Sequence, residues 1–307
     1  MIVVLAGGTG GSKMVHGLAL AQGQRDLVAI VNTGDDGEFF GLLVCPDLDI
    51  NLYRLAGVVA ECGWGYADDT FHCLEGLATY GREAWFGLGD RDLSTHVHRS
   101  LMMRDGARLS DVVDDLRERL GVEARVLPMT DDPVRTIITT QSGDRRFQEY
   151  LVRDGAREEI TAIRIEGLAD AAPAPGVIEA IRDADLIVIA PSSPIVSVGT
   201  ILGVPGVRDA VAARRDRVIG VSPIIGGVPV EGPAQKFLRG AGYAECSARQ
   251  VADIYADVCA TFVIDASDEP EAAAIEDLGV RPVLTDILMP DRAARERLAR
   301  VVIGAAG

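Results

Sequence analysis

The segment Ile2-Val3-Val4-Leu5-Ala6-Gly7-Gly8-Thr9-Gly10-Gly11-Ser12-Lys13 decides how this chain is read. An apolar run stops at two glycines, and an amphipathic stretch follows. That is the pattern of a buried strand passing through a tight turn into a helix. The first amides of such a helix have no intrahelical partner and sit at the positive end of its dipole. Glycine lets an anion approach that backbone closely. Gly8, Thr9, Gly10 and Gly11 therefore form a candidate phosphate cradle. The spacing is not that of a P-loop. It is not a full G-x-G-x-x-G either, because Lys13 stands where the third glycine would fall. On this motif alone two readings stay open: an anion site, or a plain strand–helix turn with Lys13 solvated.

Leu27-Val28-Ala29-Ile30-Val31 is a second apolar run. Strand, helix and strand within about 30 residues make a parallel βαβ unit. The run ends at Asn32-Thr33-Gly34-Asp35-Asp36-Gly37. A dinucleotide-binding domain would place one acid near the end of this second strand. Here the acids come later, in a turn and as a pair. Adjacent aspartates often only make a solvated turn, but beside a phosphate cradle they can hold Mg²⁺. Val44-Cys45-Pro46-Asp47-Leu48-Asp49-Ile50-Asn51-Leu52-Tyr53 adds two more. A helix cap at Asp47 or Asp49 accounts for one acid, not for Asp35, Asp36, Asp47 and Asp49 together. The set is read as a divalent-metal or catalytic acid cluster.

Composition narrows the classes. The chain has 307 residues, 48% hydrophobic, which is enough for a sizeable core in one large or two modest domains. A net charge of −16 argues against general nucleic-acid or anionic-membrane binding, but not against a small anion met by local donors. No 18-residue apolar run suggests a membrane span, and residues 1–5 are too short for a secretory leader. Five cysteines (Cys45, Cys62, Cys73, Cys246 and Cys259) include no C-x-x-C pair, which fits a reducing cytoplasm. His16, His72, His96 and His98 show no metal-binding spacing on a helix, so no metal is assigned to them.

Further along, Trp85-Phe86-Gly87-Leu88-Gly89-Asp90-Arg91-Asp92 is a loop that could be a salt-bridged turn or could clamp a polar heterocycle. Residues 109–120 suit a surface helix, and residues 135–140 and 146–152 suit two strands joined through Ser142-Gly143-Asp144. The part 90–165 is expected to form a smaller inserted or cap region. After it the α/β alternation returns, with strands at 185–190, 217–223, 261–265 and 281–284 and a closing helix at 293–302. Ser192, Ser193 and Ser222 fall just past strand ends, where open parallel sheets bind ligands; turns and caps explain such serines equally well. The expected fold is an α/β parallel sheet with helices on both faces, built as one unit over 1–307.

Taken in order, several motifs resemble the CofD family, the 2-phospho-L-lactate transferases of coenzyme F(420) biosynthesis. They are Gly7-Gly8-Thr9-Gly10-Gly11, Asn32-Thr33-Gly34-Asp35-Asp36, Cys45-Pro46-Asp47-Leu48-Asp49, Gly63-Trp64-Gly65, 85–92, Leu127-Pro128-Met129, Phe147-Gln148-Glu149-Tyr150 and Pro191-Ser192-Ser193-Pro194. The resemblance implies a Rossmann-like fold, a homodimer, and a Mg²⁺-dependent phosphotransferase. Its donor would be a three-carbon acid linked to guanosine diphosphate, and its acceptor the ribityl hydroxyl of the deazaflavin Fo, with GMP released. By the same resemblance Gly8, Thr9, Gly10 and Gly11 hold the diphosphate. Asp35 and Asp49 carry Mg²⁺, with Asp36 a close competitor of Asp35. Asp49 and Arg91 meet Fo, and Asp49 orients or deprotonates its hydroxyl. Asn32, Ser192, Ser193, Ser222 and Gly226 take the guanosine.

The chain departs from the family pattern at Ile50, at Ser193 in place of the usual Asn, at Thr200 in place of Pro, and at Glu231 where Lys is common. Ser193 and Glu231 bear on the donor's nucleobase, and none of these changes touches the proposed metal acids or Arg91. Two other classes compete: a non-catalytic nucleotide-sugar-binding regulator of related fold, and a dehydrogenase. Lys13 and the missing ribose acid weigh against the second.

Overall fold

Seven parallel strands form the main sheet of the computed structural model, which describes residues 1–60 and 63–306; Cys62 lies outside them. The strands are β1 (Ile2–Ala6), β2 (Leu27–Val31), β3 (Arg125–Pro128), β4 (Leu186–Ile189), β5 (Val218–Val221), β6 (Thr261–Asp265) and β7 (Arg281–Thr285). Their spatial order is β7-β6-β5-β4-β1-β2-β3, and every pairing is parallel. The chain leaves β1 on one side for β2 and β3, then crosses to the other side of β1 for β4. The order therefore reverses between β1 and β4, and such a reversal opens a crevice beyond the carboxyl ends of the two strands.

The central strands are apolar throughout because both faces of the sheet are covered. Helices α1 (Thr9–Gln22), α2 (Pro46–Ala56), α3 (Asp90–Arg104), α4 (Leu109–Arg119), α5 (Val177–Asp183), α6 (Ala248–Tyr255) and α7 (Arg292–Gly304) flank it. Side chains of β1 alternate between the faces. Ile2, Val4 and Ala6 pack with Leu18 of α1, Leu52 of α2, Val113 of α4 and Leu298 of α7. Val3 and Leu5 pack on the other face with Ile181 of α5 and Val251 of α6. The closing strand β7 carries Pro282, which an edge position tolerates.

The inserted unit is narrower than the expected 90–165. It is a three-stranded antiparallel sheet in which Arg135–Thr140 lies between Gly143–Arg146 and Ile160–Glu166. Residues 90–128 instead supply α3, α4 and β3 to the main body, where Val112, Val113, Leu116 and Val126 join the central core.

Residues 147–152 are helical rather than extended, and the turn widens to a π-helix at Glu149–Arg153. Phe147 and Tyr150, three residues apart, share one face and pack with Ile138 and Phe237. That spacing outweighed the β-propensity of the aromatic residues.

Helix α1 crosses α7 closely at Gly17, where an added Cβ would run into the backbone carbonyl of Arg295. Gly17→Ala gains helix propensity of about 1 kcal/mol. It also pushes two packed backbones apart, at a cost of about 1–3 kcal/mol. The net expectation is a lower urea midpoint with an unchanged m-value.

Candidate active site

At the sheet's reversal point the turn after β1 faces the loop after β4. Gly7 N donates to Ser192 Oγ at 3.0 Å, and a Cβ on Gly10 would collide with the Pro191 carbonyl oxygen. Only glycine permits this approach. Helix α1 follows its N-cap Gly8 with no side-chain cap and no acid in its first turn, which leaves its dipole and first amides for a ligand. Asn51 of α2 fastens the turn from the far side, its Nδ2 donating to Gly7 O at 3.0 Å.

A cavity of about 450 Å³ opens here. Of the residues expected at a site, Gly8, Thr9, Gly10, Asp35, Asp49, Ser192, Ser193 and Ser222 line it. Four others do not. Gly11 packs against Ala6 beneath the turn. Asn32 is fully buried, with both amide ends used: Nδ2 donates to Asp47 Oδ2 at 3.0 Å and Oδ1 accepts from Gly34 N at 2.9 Å. Arg91 points outward and donates to Ala67 O at 3.2 Å. Gly226 lies in an exposed hairpin turn tied to Asp268. The three serines are turn formers as well as wall: Ser193 Oγ accepts from Val196 N at 3.3 Å, and Ser222 Oγ bonds Ile224 O at 2.9 Å.

The acids are deeply placed. Asp47 and Asp49 sit in the first turn of α2 behind Cys45 and Pro46, so neither caps the helix. Asp49 is 4% exposed and both its oxygens are held by the guanidinium of the fully buried Arg99, with Nη1 at 3.1 Å from Oδ2. Burial works against the Arg99 charge, and the Asp49 carboxylate outweighs it, holding the guanidinium above its ordinary value.

Arg99 Nη1 also lies 3.0 Å from His96 Nδ1. A guanidinium can only donate, so Nδ1 is the acceptor and the ring proton sits on Nε2, which faces Asp92 at 3.4 Å. Tyr53 OH donates to Asp92 Oδ1 at 2.8 Å. Sequence reasoning missed this network. Its signal was the polar stripe Asp92, His96 and Arg99, at helical spacing on an α3 whose face had to be buried.

Asp35 and Asp47 lack such a cation. Burial raises Asp35 well above the ordinary aspartate value, and repulsion from Asp47 and Asp36 adds to it. Burial lifts Asp47 to about 7 despite its bond from Asn32. Burial raises Asp36 also. Asp35 Oδ1 and Asp36 Oδ1 have no hydrogen-bond partner. No group of three or more His, Cys, Asp or Glu is placed to hold a metal among the described residues. Asp36 lines a neighbouring pocket with Gly37 and Phe39, whereas Asp35, with its orphaned, desolvated oxygen, shares the cavity of the anion cradle with Asp47 and Asp49 and suits Mg²⁺, which takes one or two carboxylates and completes its shell with phosphates and water.

Sheet order, crevice and glycine turn define a Rossmann-like α/β protein with its cavity at the carboxyl ends of the strands. A solved structure of a upf0052-family protein from Bacillus halodurans matches it with a TM-score of 0.65, covering 98% of each chain at 20% identity, which shows the shared fold. The family model for 2-phospho-L-lactate transferase CofD matches residues 2–303. The phosphoenolpyruvate transferase of Kitasatospora aureofaciens is 46% identical over 99% of this chain and 97% of its own length. That of Thermobifida fusca is 46% identical over 92% and 91%, and that of Mycobacterium sp. (strain KMS) 40% over 100% and 98%. The chain belongs to the CofD family of transferases. Among the described residues no helix is long and apolar enough to cross a membrane.

Two outcomes follow from the buried charges. Arg99→Met strands Asp49 in the interior and should cost about 3–5 kcal/mol in denaturant unfolding. The raised Asp47 means that the folded state keeps a proton the unfolded state gives up between about pH 4 and 7. Stability therefore falls as pH rises through that window. MgCl₂ should accordingly raise the thermal midpoint more at pH 8 than at pH 5, and an equal shift at both would count against a cation at these acids.

Proposed function

We propose that this transferase moves a phospho-three-carbon acid, 2-phospholactate or phosphoenolpyruvate, from a guanosine-diphosphate-activated donor to the ribityl hydroxyl of Fo, releasing GMP, in coenzyme F(420) biosynthesis. The observation that carries the reading is that the uncapped α1 amides and the Asp35, Asp47 and Asp49 carboxylates share one cavity. The relatives named phosphoenolpyruvate transferases support the choice of reaction.

Phosphoryl transfer demands in-line placement and neutralised charge more than covalent help. The Gly8–Gly10 turn would hold the diphosphate by backbone donation. The Fo hydroxyl oxygen attacks the phosphorus that bears the acid. The bond from that phosphorus to the bridging oxygen breaks, and GMP leaves with the oxygen. The hydroxyl proton passes to Asp49, whose orientation Arg99 sets. Arg99 occupies one acceptor site on each Asp49 oxygen, and a carboxylate offers about four, so Asp49 retains capacity for proton and ligand. Asp35 and Asp49 would hold Mg²⁺, which supplies neutralisation of the diphosphate charge when bound. Phe86, Phe147 and Leu151 give the cavity an apolar wall for a flat ring system. The homodimer and the cytoplasmic location in this reading rest on the family resemblance.

The test is incubation with Fo, the enolpyruvyl or lactyl diphosphoguanosine donor and Mg²⁺, with the product identified by mass spectrometry. A phosphodiester of Fo and stoichiometric GMP are expected. Nucleotide binding without product would point to a non-catalytic regulator. Asp49→Asn should lower turnover by about 10²-fold or more while GDP affinity measured without Mg²⁺ stays within about threefold, with thermal unfolding checking that the variant, which deprives Arg99 of its carboxylate, is folded. Undiminished turnover would remove Asp49 from the chemistry.

A further inference from the structure

Lys13 is the one lysine or arginine on the cavity wall among the described residues, set against five carboxylates: Asp35, Asp47, Asp49, Asp92 and Glu231. It lies one turn into α1, directly after the amides that would receive a diphosphate. Its ammonium is not free. It pairs with the carboxylate of Glu231, which lines the same cavity.

The backbone that carries Glu231 is fastened. The hairpin of Ile224–Ile225 and Val228–Pro229 precedes it. Val230 N donates to Pro223 O at 2.9 Å at the base of the hairpin, and Gly226 N donates to Asp268 Oδ1 at 2.8 Å at its tip. With the hairpin held at base and tip, rotation of the partly exposed Glu231 or Lys13 side chain is enough to part the pair. A carboxylate presents an ammonium with the same kind of charged oxygen acceptor as a phosphate does. An anionic ligand entering this cavity meets its best cation already taken by an oxyanion of the chain itself.

We propose that Glu231 is an internal competitor for the donor's diphosphate. Its carboxylate holds Lys13 until phosphate oxygens displace it, and it takes Lys13 back as the nucleotide leaves. Glu231 thereby sets the affinity for a nucleoside diphosphate, and Lys13 is the group it sets it through. This inference rests on the nucleotide-diphosphate reading of the cavity.

The test is calorimetric titration of the whole chain with GDP and MgCl₂ at fixed ionic strength, for wild type, Glu231→Gln, Lys13→Met and the double variant. Thermal unfolding of each confirms that it is folded. Glu231→Gln should bind GDP about threefold to tenfold more tightly, since it loses a partly exposed ion pair and a nearby negative charge. Lys13→Met should bind more weakly than wild type. In the Lys13→Met background the gain from Glu231→Gln should shrink below about twofold. Guanosine, which has no phosphate, should gain nothing. Unchanged or weaker GDP binding by Glu231→Gln overturns the proposal, because it would make Glu231 a support for Lys13 and not a competitor. A gain that survives in full without Lys13, or that extends to guanosine, overturns it too. Those results concern Glu231 alone. Failure of wild type to bind GDP at all would instead bring down the functional reading and this inference with it.

Discussion

Carboxylates buried in a shared cavity are costly unless positive charge meets them, and this site meets its acids in unequal ways. Asp49 has a guanidinium of its own, fully buried and bonded to both oxygens. Asp47 has only the amide of Asn32, and Asp35 keeps an oxygen with no partner. The positive end of α1 points into the same space. A dipole end and two under-neutralised acids on one wall are complementary to a ligand that brings negative phosphates together with a divalent cation. Neither component alone would satisfy both.

The sheet makes this possible. The reversal of strand order between β1 and β4 opens the crevice, and the glycine turn lets the two loops approach within hydrogen-bond distance at Gly7 and Ser192. Helix α2 then carries Asp47, Asp49 and Asn51 in its first two turns, so one element positions two acids and also clamps the turn through Asn51. Helix α3 closes the arrangement from behind, with Arg99, His96 and Asp92 along one face. The orientation of Asp49 depends on that second helix, because without Arg99 a lone carboxylate in the first turn of α2 would be free to rotate.

The net charge of the chain says little about its ligand. A protein with 46 acidic and 30 basic residues can still offer an anion a site, because a few amides and, among the described residues, one lysine are concentrated where the acids are partly neutralised. Local fields at about 3–4 Å outweigh the summed charge of a surface screened over about 8–10 Å. The Lys13–Glu231 pair belongs to the same balance: the one lysine that lines the cavity among the described residues is held by an acid that lines it too.

Local patterning determined much of this protein. The apolar run into Gly7-Gly8-Thr9-Gly10-Gly11, the repeated strands and the clustered aspartates specify a parallel α/β sheet with a polar site near its first turn, because strand burial and helix-terminus chemistry are written in adjacent residues. Helical spacing at Phe147 and Tyr150 was equally present in the residues but hidden by their β-propensity. Tertiary structure alone decided the rest. It turned Arg91 outward, engaged both ends of Asn32 internally, and brought Arg99 to Asp49 from 50 positions away. Contacts between distant elements depend on how helices pack across a sheet, and no spacing along one segment encodes which of several arginines will end up buried against which acid.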